Sequence, residues 1–213
     1  MLTIHHLGIS QSERVVWLCE ELAIPYELII HTRDPVTRLS PPSLRALHPA
    51  GTAPIMQDDG VTIAESSAIV EYIMARYGNG RLALPPGHPG FAEYLYWFHF
   101  ANGNLQPHLG RNMVLGRIEA AKGHPVMASA QERVARALSA MEQRLGDAPW
   151  LAGEQFTAAD IMNVFSLTTM RNFQPWDISG YPNILAWLAR VAQRPAYVAA
   201  MAKGDPGMRL LLS

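Results

Sequence analysis

A single cysteine, Cys19, stands among the 213 residues. It excludes an intramolecular disulfide and any Cys-x-x-Cys redox or zinc pair, and it fits a reducing compartment. No run approaches the roughly 20 apolar residues of a membrane-spanning helix. The first residues, Met1 to His6, lack a basic segment followed by an apolar stretch, so no signal peptide is expected and the cytoplasm is the default location. Charge is also scarce, at 16% charged residues and a net charge of -1. That balance carries neither the basic stripe of a nucleic-acid binder nor a membrane-surface patch. Histidine is more plentiful, but no pair has His-x-x-x-His spacing, and adjacent His5 and His6 in a strand face opposite ways. No metal site is expected.

The apolar material is ample, at 49%, and its periodicity changes along the chain. Leu2, Ile4 and His6 alternate as in a strand. Ser10-Gln11-Ser12-Glu13 carries helix-start signals, and Val15, Leu18, Cys19 and Leu22 follow at helical spacing until Pro25. Residues 26–30 read as a second strand, parallel to the first across a β-α-β crossover. A short helix is expected around residues 43–47 in a proline-punctuated stretch. Residues 53–57 and 61–64 flank Asp58-Asp59-Gly60, a strong hairpin signal, and residues 65–77 are helical up to Gly78. Residues 80–90 form a Gly/Pro linker. Beyond it every periodic segment is helical: 91–117 with a bend near Pro107, 126–145, 157–170, 183–192 and 196–202. The expected organisation is an α/β domain at 1–79, the linker, and an all-α domain at 91–213.

Three features of the first domain carry chemistry. Pro54 opens a short strand and removes a donor that the sheet would use. If its peptide bond is cis, Ala53 offers its N–H and C=O to an extended peptide added at the sheet edge. Glu65-Ser66 begins a helix, where N–H groups and a hydroxyl suit a carboxylate and the Glu65 carboxylate suits an ammonium. One amino-acid head group is satisfied by that pair. Ser10, at the first strand-helix junction, is a hydroxyl donor, with Ser12 as the rival hydroxyl and the better cap. A donor matters because a thiol of pKa about 8.5 is only roughly 3% ionised at pH 7. Lowering it by about two units takes about 2.7 kcal/mol, the scale of a charge-assisted hydrogen bond near a helix N-terminus. A thiol peptide with a free amino-acid end is glutathione. In the helical domain, Thr157 and Asp160 have capping-box spacing with Phe156 and Ile161 as a staple. The stripe Tyr94, Trp97, Phe98, His99, Asn102 is core-like, and Cys19 reads as a buried, inert thiol.

Ser10-Gln11-Ser12-Glu13-Arg14, Thr52-Ala53-Pro54-Ile55, Glu65-Ser66-Ser67-Ala68-Ile69, the linker and Phe156-Thr157-Ala158-Ala159-Asp160-Ile161, in this order, resemble a cytosolic glutathione S-transferase of a bacterial and fungal branch. The likeness spans essentially the whole chain. It implies a thioredoxin-like N-terminal domain, a helical C-terminal domain, a homodimer, and glutathione as co-substrate with no tightly bound cofactor. It implies that Thr52, Ala53 and a cis Pro54 hold the cysteinyl backbone and that Glu65 and Ser66 hold the γ-glutamyl group. Ser10 falls at the position of a thiol-activating serine. Asn102, Asn104, His108 and Arg111 are then expected to line the pocket of a small hydrophobic electrophile. Two departures stand out. Ser12 occupies the place of a common proline, which leaves Ser10 and Ser12 in competition. Thr52 replaces a common lysine, so Arg38 or His48 is left to meet the glycyl carboxylate. The implied activity is conjugation of glutathione to electrophiles. The alternatives are a glutathione-dependent peroxidase or disulfide reductase, and a non-catalytic glutathione-binding protein of the same fold.

Overall fold

The computed structural model describes residues 1–213. In chain order the elements are β1 (Thr3–Leu7), α1 (Glu13–Leu22), β2 (Glu27–His31), α2 (Pro42–Arg45), β3 (Ile55–Asp58), β4 (Val61–Ala64), α3 (Ser66–Tyr77), α4 (Phe91–Phe100), α5 (Gln106–Gly116), α6 (Pro125–Asp147), α7 (Ala158–Leu167), α8 (Pro182–Ala192) and α9 (Pro195–Gly204). They form two compact units. One comprises Met1–Ala83 with Val191–Leu210, and the other Leu84–Arg190 with Leu211–Ser213.

The first unit holds a four-stranded sheet in the order β2-β1-β3-β4. β1 and β2 are parallel, while β3 runs antiparallel to both β1 and β4. This is the expected thioredoxin-like arrangement, and local chemistry explains its turns. α1 ends at Ala23, whose left-handed φ of 50° lets Ile24 N–H reach the Cys19 carbonyl, a stop of the kind usually made by glycine. The β3–β4 hairpin turns on Asp59 and Gly60, both at positive φ, between the paired Asp58 and Val61, as the right-handed twist of the strands requires.

The placement of α9 corrects the expected domain boundary. All residues after the linker were expected in one helical domain, but residues 191–210 belong to the first unit because α9 packs along α1. Trp17 meets Tyr197 edge to face at 4.9 Å. Arg194 forks onto Glu21 at 2.6 and 2.7 Å, and Lys203 reaches Glu20 at 2.6 Å. The bidentate pair fixes orientation as well as proximity.

In the second unit, the single bent helix expected over 91–117 is two helices joined by a π turn at Ala101–Leu105. Pro107 lies directly after the π turn in a helical backbone that runs on without a break, so its missing N–H interrupts the hydrogen-bond ladder beside the widened turn. The capping box forms at Thr157 and Asp160. Buried Asn163 ties α7 to α4 by donating to the Trp97 carbonyl at 2.8 Å.

Candidate active site

The turn between β1 and α1 is braced by side chains from the loop after β2 and from the end of α9. Ile9 has φ 53°, a left-handed conformation that disfavours a β-branched residue and costs about 1–3 kcal/mol. Two side chains hold it there. Its N–H donates to Asp205 Oδ1 at 2.7 Å, and Arg33 donates to the carbonyls of Gly8 and Ile9 at 3.2 Å. Gly8 suits this closeness, since a Cβ on it would meet Asp205 Oδ1 at 3.1 Å and push that side chain aside. Burial holds the Arg33 guanidinium below its usual range, as does neighbouring Arg38, against the opposing pull of Asp205. The bracing sets the direction of the next residue, Ser10.

Ser10 and Ser12 differ sharply in what their hydroxyls do. Ser10 retains 8% exposure and Ser12 none. Ser12 stands at the N-cap of α1, yet its hydroxyl caps nothing, which corrects the expectation of a capping role. It turns back onto β1, where it accepts from Leu7 N–H at 3.1 Å and lies 2.9 Å from His6 Nδ1. Ser10 Oγ accepts the Ser12 N–H at 3.2 Å and lies 2.7 Å from Ser12 Oγ.

The Ala53–Pro54 bond is cis. Ala53 is buried in a cluster with Leu7, Leu44 and Ile55, while its backbone lies outside the ladder, which starts with Ile55 opposite His5. Thr52 beside it is exposed. Glu65 is the N-cap of α3 at φ 82°, another strained non-glycine position, and its carboxylate accepts from the N–H and hydroxyl of Ser67 at 3.4 and 3.2 Å. Ser66 is wholly buried, and its Oγ accepts from Arg14 Nη1 at 3.1 Å. The Ser66 hydroxyl is therefore engaged from within, and the helix-start N–H groups are what α3 offers an anion.

Arg14, known from the sequence only as part of a motif, lies against Ser66 at the start of α3. It is fully buried, and burial pulls its guanidinium down to about 10, against the raising influence of Glu13 and Glu65. Arg38 is brought beside Arg33, Ile9 and Asp205 at a cavity of about 410 Å³. His48 is not among the residues of that cavity, and its Nδ1 accepts from Ala50 N–H at 3.1 Å.

Of the residues expected to line an electrophile pocket, Asn104 and His108 share a cavity of about 270 Å³ within the second unit, with Tyr96, Phe100, Arg133 and Arg136. Asn102 and Arg111 are not part of that lining. Burial holds the His108 imidazole below its usual range, as do Arg111, Arg133 and Arg136. Cys19 is buried, which pushes its thiol up and leaves it unreactive.

Residues 5–81 match the family model described as "Glutathione S-transferase, N-terminal domain", and residues 99–195 match "Glutathione S-transferase, C-terminal domain". Glutathione S-transferase 3 of Schizosaccharomyces pombe is 32% identical, the match covering 100% of this chain and 92% of the relative. Glutathione S-transferase GstB of Escherichia coli is 30% identical over 86% of this chain and 89% of its own. A crystal structure of a glutathione S-transferase from Actinobacillus pleuropneumoniae superposes with a TM-score of 0.84 at 32% identity, covering 96% of this chain and 93% of that one.

Proposed function

Because the chain belongs to the glutathione S-transferase family, we propose that it binds glutathione at the unpaired segment leading into β3 and transfers the thiolate to small apolar electrophiles. Ala53 pairs with the cysteinyl backbone beside cis Pro54 and Thr52. Glu65 takes the γ-glutamyl ammonium, and the start of α3 at Ser66, with Arg14 beneath it, takes the γ-glutamyl carboxylate. Arg38 is favoured over His48 for the glycyl carboxylate, because it stands beside Arg33 at the cavity next to Ile9.

The catalytic residue in this reading is Ser10. The observation that carries it is the division of labour between the two hydroxyls. Ser12 is wholly buried and occupied by Leu7 and His6, while Ser10 keeps an accessible edge. Ser10 O–H donates to the sulfur and favours the thiolate. The thiolate attacks an electrophilic carbon, an S–C bond forms, and the leaving group departs with the bond's electron pair. No tightly bound cofactor takes part. Asn102, Asn104, His108 and Arg111 of the helical unit are assigned to the electrophile, with support from the shared cavity for Asn104 and His108. A cytoplasmic homodimer completes the proposal; exposed Leu95, Tyr96 and Val114 are apolar surface that such an interface covers.

The test is a panel run side by side: an aryl halide, a peroxide and a mixed disulfide, each with glutathione, together with thermal shift by glutathione. Conjugation of the halide that falls about tenfold or more in Ser10→Ala, with glutathione still bound, is the expected result. Activity confined to the peroxide or the disulfide moves the protein to the peroxidase or reductase reading. Binding with no turnover of any of the three leaves a non-catalytic glutathione binder.

A further inference from the structure

A chain of polar side chains runs from Ser10 into the protein, and glutathione binding alone does not account for it. Ser10 Oγ lies 2.7 Å from Ser12 Oγ, Ser12 Oγ lies 2.9 Å from His6 Nδ1, and His6 Nε2 lies 3.2 Å from Asp205 Oδ2. His6 and Ser12 have no exposed surface, and the Asp205 side chain keeps 5%. His6 Nε2 and Asp205 Oδ2 are buried with no aligned hydrogen bond, and their 3.2 Å approach to each other is the ion-pair contact that offsets their burial. The contact is also sterically prepared: a Cβ on Gly204 would stand 3.1 Å from His6 Nε2. From β2, His31 lies within electrostatic reach of His6, and from the loop after it Arg33 lies within reach of Asp205. α1 contributes the neutral Ser12.

The proton count along this chain is constrained. With its proton on Nε2, facing Asp205, His6 presents a bare Nδ1 to Ser12. Ser12 then gives its one proton to His6, the nearer choice over the Leu7 carbonyl at 3.3 Å, and it accepts from Ser10. Ser10 in turn shows lone pairs to the ligand. A thiolate needs the reverse. If Ser10 donates to sulfur, Ser12 must donate to Ser10, and His6 Nδ1 must carry a proton. Both imidazole nitrogens are then protonated, with the Asp205 carboxylate as counter-charge. The two arrangements differ by one proton, the number that a thiol loses on becoming a thiolate.

We propose that Ser10, Ser12, His6 and Asp205 form a proton relay that carries the glutathione thiol proton inward and holds it on His6. The inference rests on the glutathione reading given above. The S–H bond breaks as an O–H bond forms at Ser10. The former Ser10 proton moves to Ser12, and the former Ser12 proton moves to His6 Nδ1. The products are a thiolate that accepts from Ser10 and an imidazolium paired with Asp205. After the thioether forms, His6 returns the proton along the same hydroxyls to the leaving group or to water. His6 and Asp205 are positioning residues; Ser10 alone touches the sulfur.

The experiment counts protons on the unaltered protein. Glutathione is titrated near neutral pH in buffers of different ionisation enthalpy, while the thiolate is followed by its ultraviolet absorbance. The relay predicts fewer protons released to buffer than thiolates formed, and His6→Gln restores one released proton per thiolate. In Asp205→Asn, conjugation below neutral pH falls by about tenfold or more and recovers as pH rises. Ser12→Ala, which leaves the His6–Asp205 pair in place, shows the same shift of the pH profile. Equal counts of protons and thiolates in the unaltered protein overturn the relay while leaving glutathione binding intact. Absence of any binding heat overturns the assignment and the relay together.

Discussion

Arg14 Nη1 donates to Ser66 Oγ across 3.1 Å, and neither side chain has exposed surface. Burying a guanidinium opposes folding unless its donors are met. Here Gln11 Oε1 and Ser66 Oγ both accept from Nη1. The charge lies under the start of α3, where helix N–H groups already favour an anion. Arg14→Gln keeps much of the volume and removes the charge. It is expected to weaken glutathione binding about tenfold or more, because a hydrogen bond to a charged group contributes about 1.5–3 kcal/mol. Titration calorimetry beside denaturant unfolding separates the effects. A lowered unfolding midpoint with unchanged affinity confines Arg14 to a structural role.

Glu65 holds a positive φ of 82°, and its carboxylate accepts from Ser67 at 3.2 and 3.4 Å and acts electrostatically on Arg14. Strain of this kind persists where the surrounding structure over-determines it, and it clusters at ligand clamps. Glu65→Ala is therefore expected to raise the dissociation constant for glutathione about tenfold or more, while turnover at saturating glutathione changes little. Steady-state kinetics over a wide glutathione range read this directly. A fall in turnover with an unchanged constant contradicts the ammonium-binding role.

Much of this arrangement was legible in the residues. Alternation and helical spacing located β1, α1, the Asp59-Gly60 hairpin and α3, because each is a local pattern with its own stop signal. Pro54 advertised an unpaired stretch of backbone, since proline removes a ladder donor, but that stretch leads into an internal strand between β1 and β4 and not to the expected sheet edge. What escaped was long-range. Asp205 reaches Ile9 and His6 from the far end of the chain, and no local period announces that. Residues 191–210 were grouped with the other helices because helical spacing cannot say which unit a helix packs against. Arg14 escaped because a charged residue in a helix's first turns reads as surface. Its burial depends on Ser66, a partner from α3. His6 was weighed as a strand residue and a metal ligand, and Ser12 as a cap or a rival to Ser10, but not as links in one chain of side chains.

Cys19 distinguishes two kinds of glutathione chemistry. It is free and buried, and desolvation first, then Glu20, pushes its thiol pKa well up, against a smaller pull from Lys203. A thiol so placed is neither nucleophile nor redox partner. Cys19→Ala is expected to keep conjugation within about twofold, with a loss of stability of roughly 1–2 kcal/mol from the vacated volume. The native protein is expected to resist alkylation until it unfolds. Rapid alkylation with loss of disulfide-reductase activity would reinstate a protein-thiol mechanism.

Asp160 makes the stability of the helical unit depend on pH in a direction opposite to that of a carboxylate whose hydrogen bonds dominate. Its oxygens accept from Leu151 N–H, Thr157 N–H and Trp187 Nε1–H at 3.0 Å each, and from the Thr157 hydroxyl at 3.4 Å. Complete burial nonetheless outweighs those bonds and raises the carboxyl from 3.8 to about 6. Between those values the folded chain holds more protons at this site than the unfolded one. The stability contributed by the shift is therefore complete below pH 3.8, lost as pH rises through about 6, and flat above. Asp160→Asn does not titrate, so the difference in unfolding free energy between the native protein and this variant isolates the group. That difference is expected to change in the native protein's disfavour by about 1.4 kcal/mol per pH unit across the window. Denaturant unfolding of both proteins at a series of pH values measures it. A difference that instead moved in the native protein's favour as pH rose would mean that the four hydrogen bonds, and not burial, set the proton affinity of Asp160.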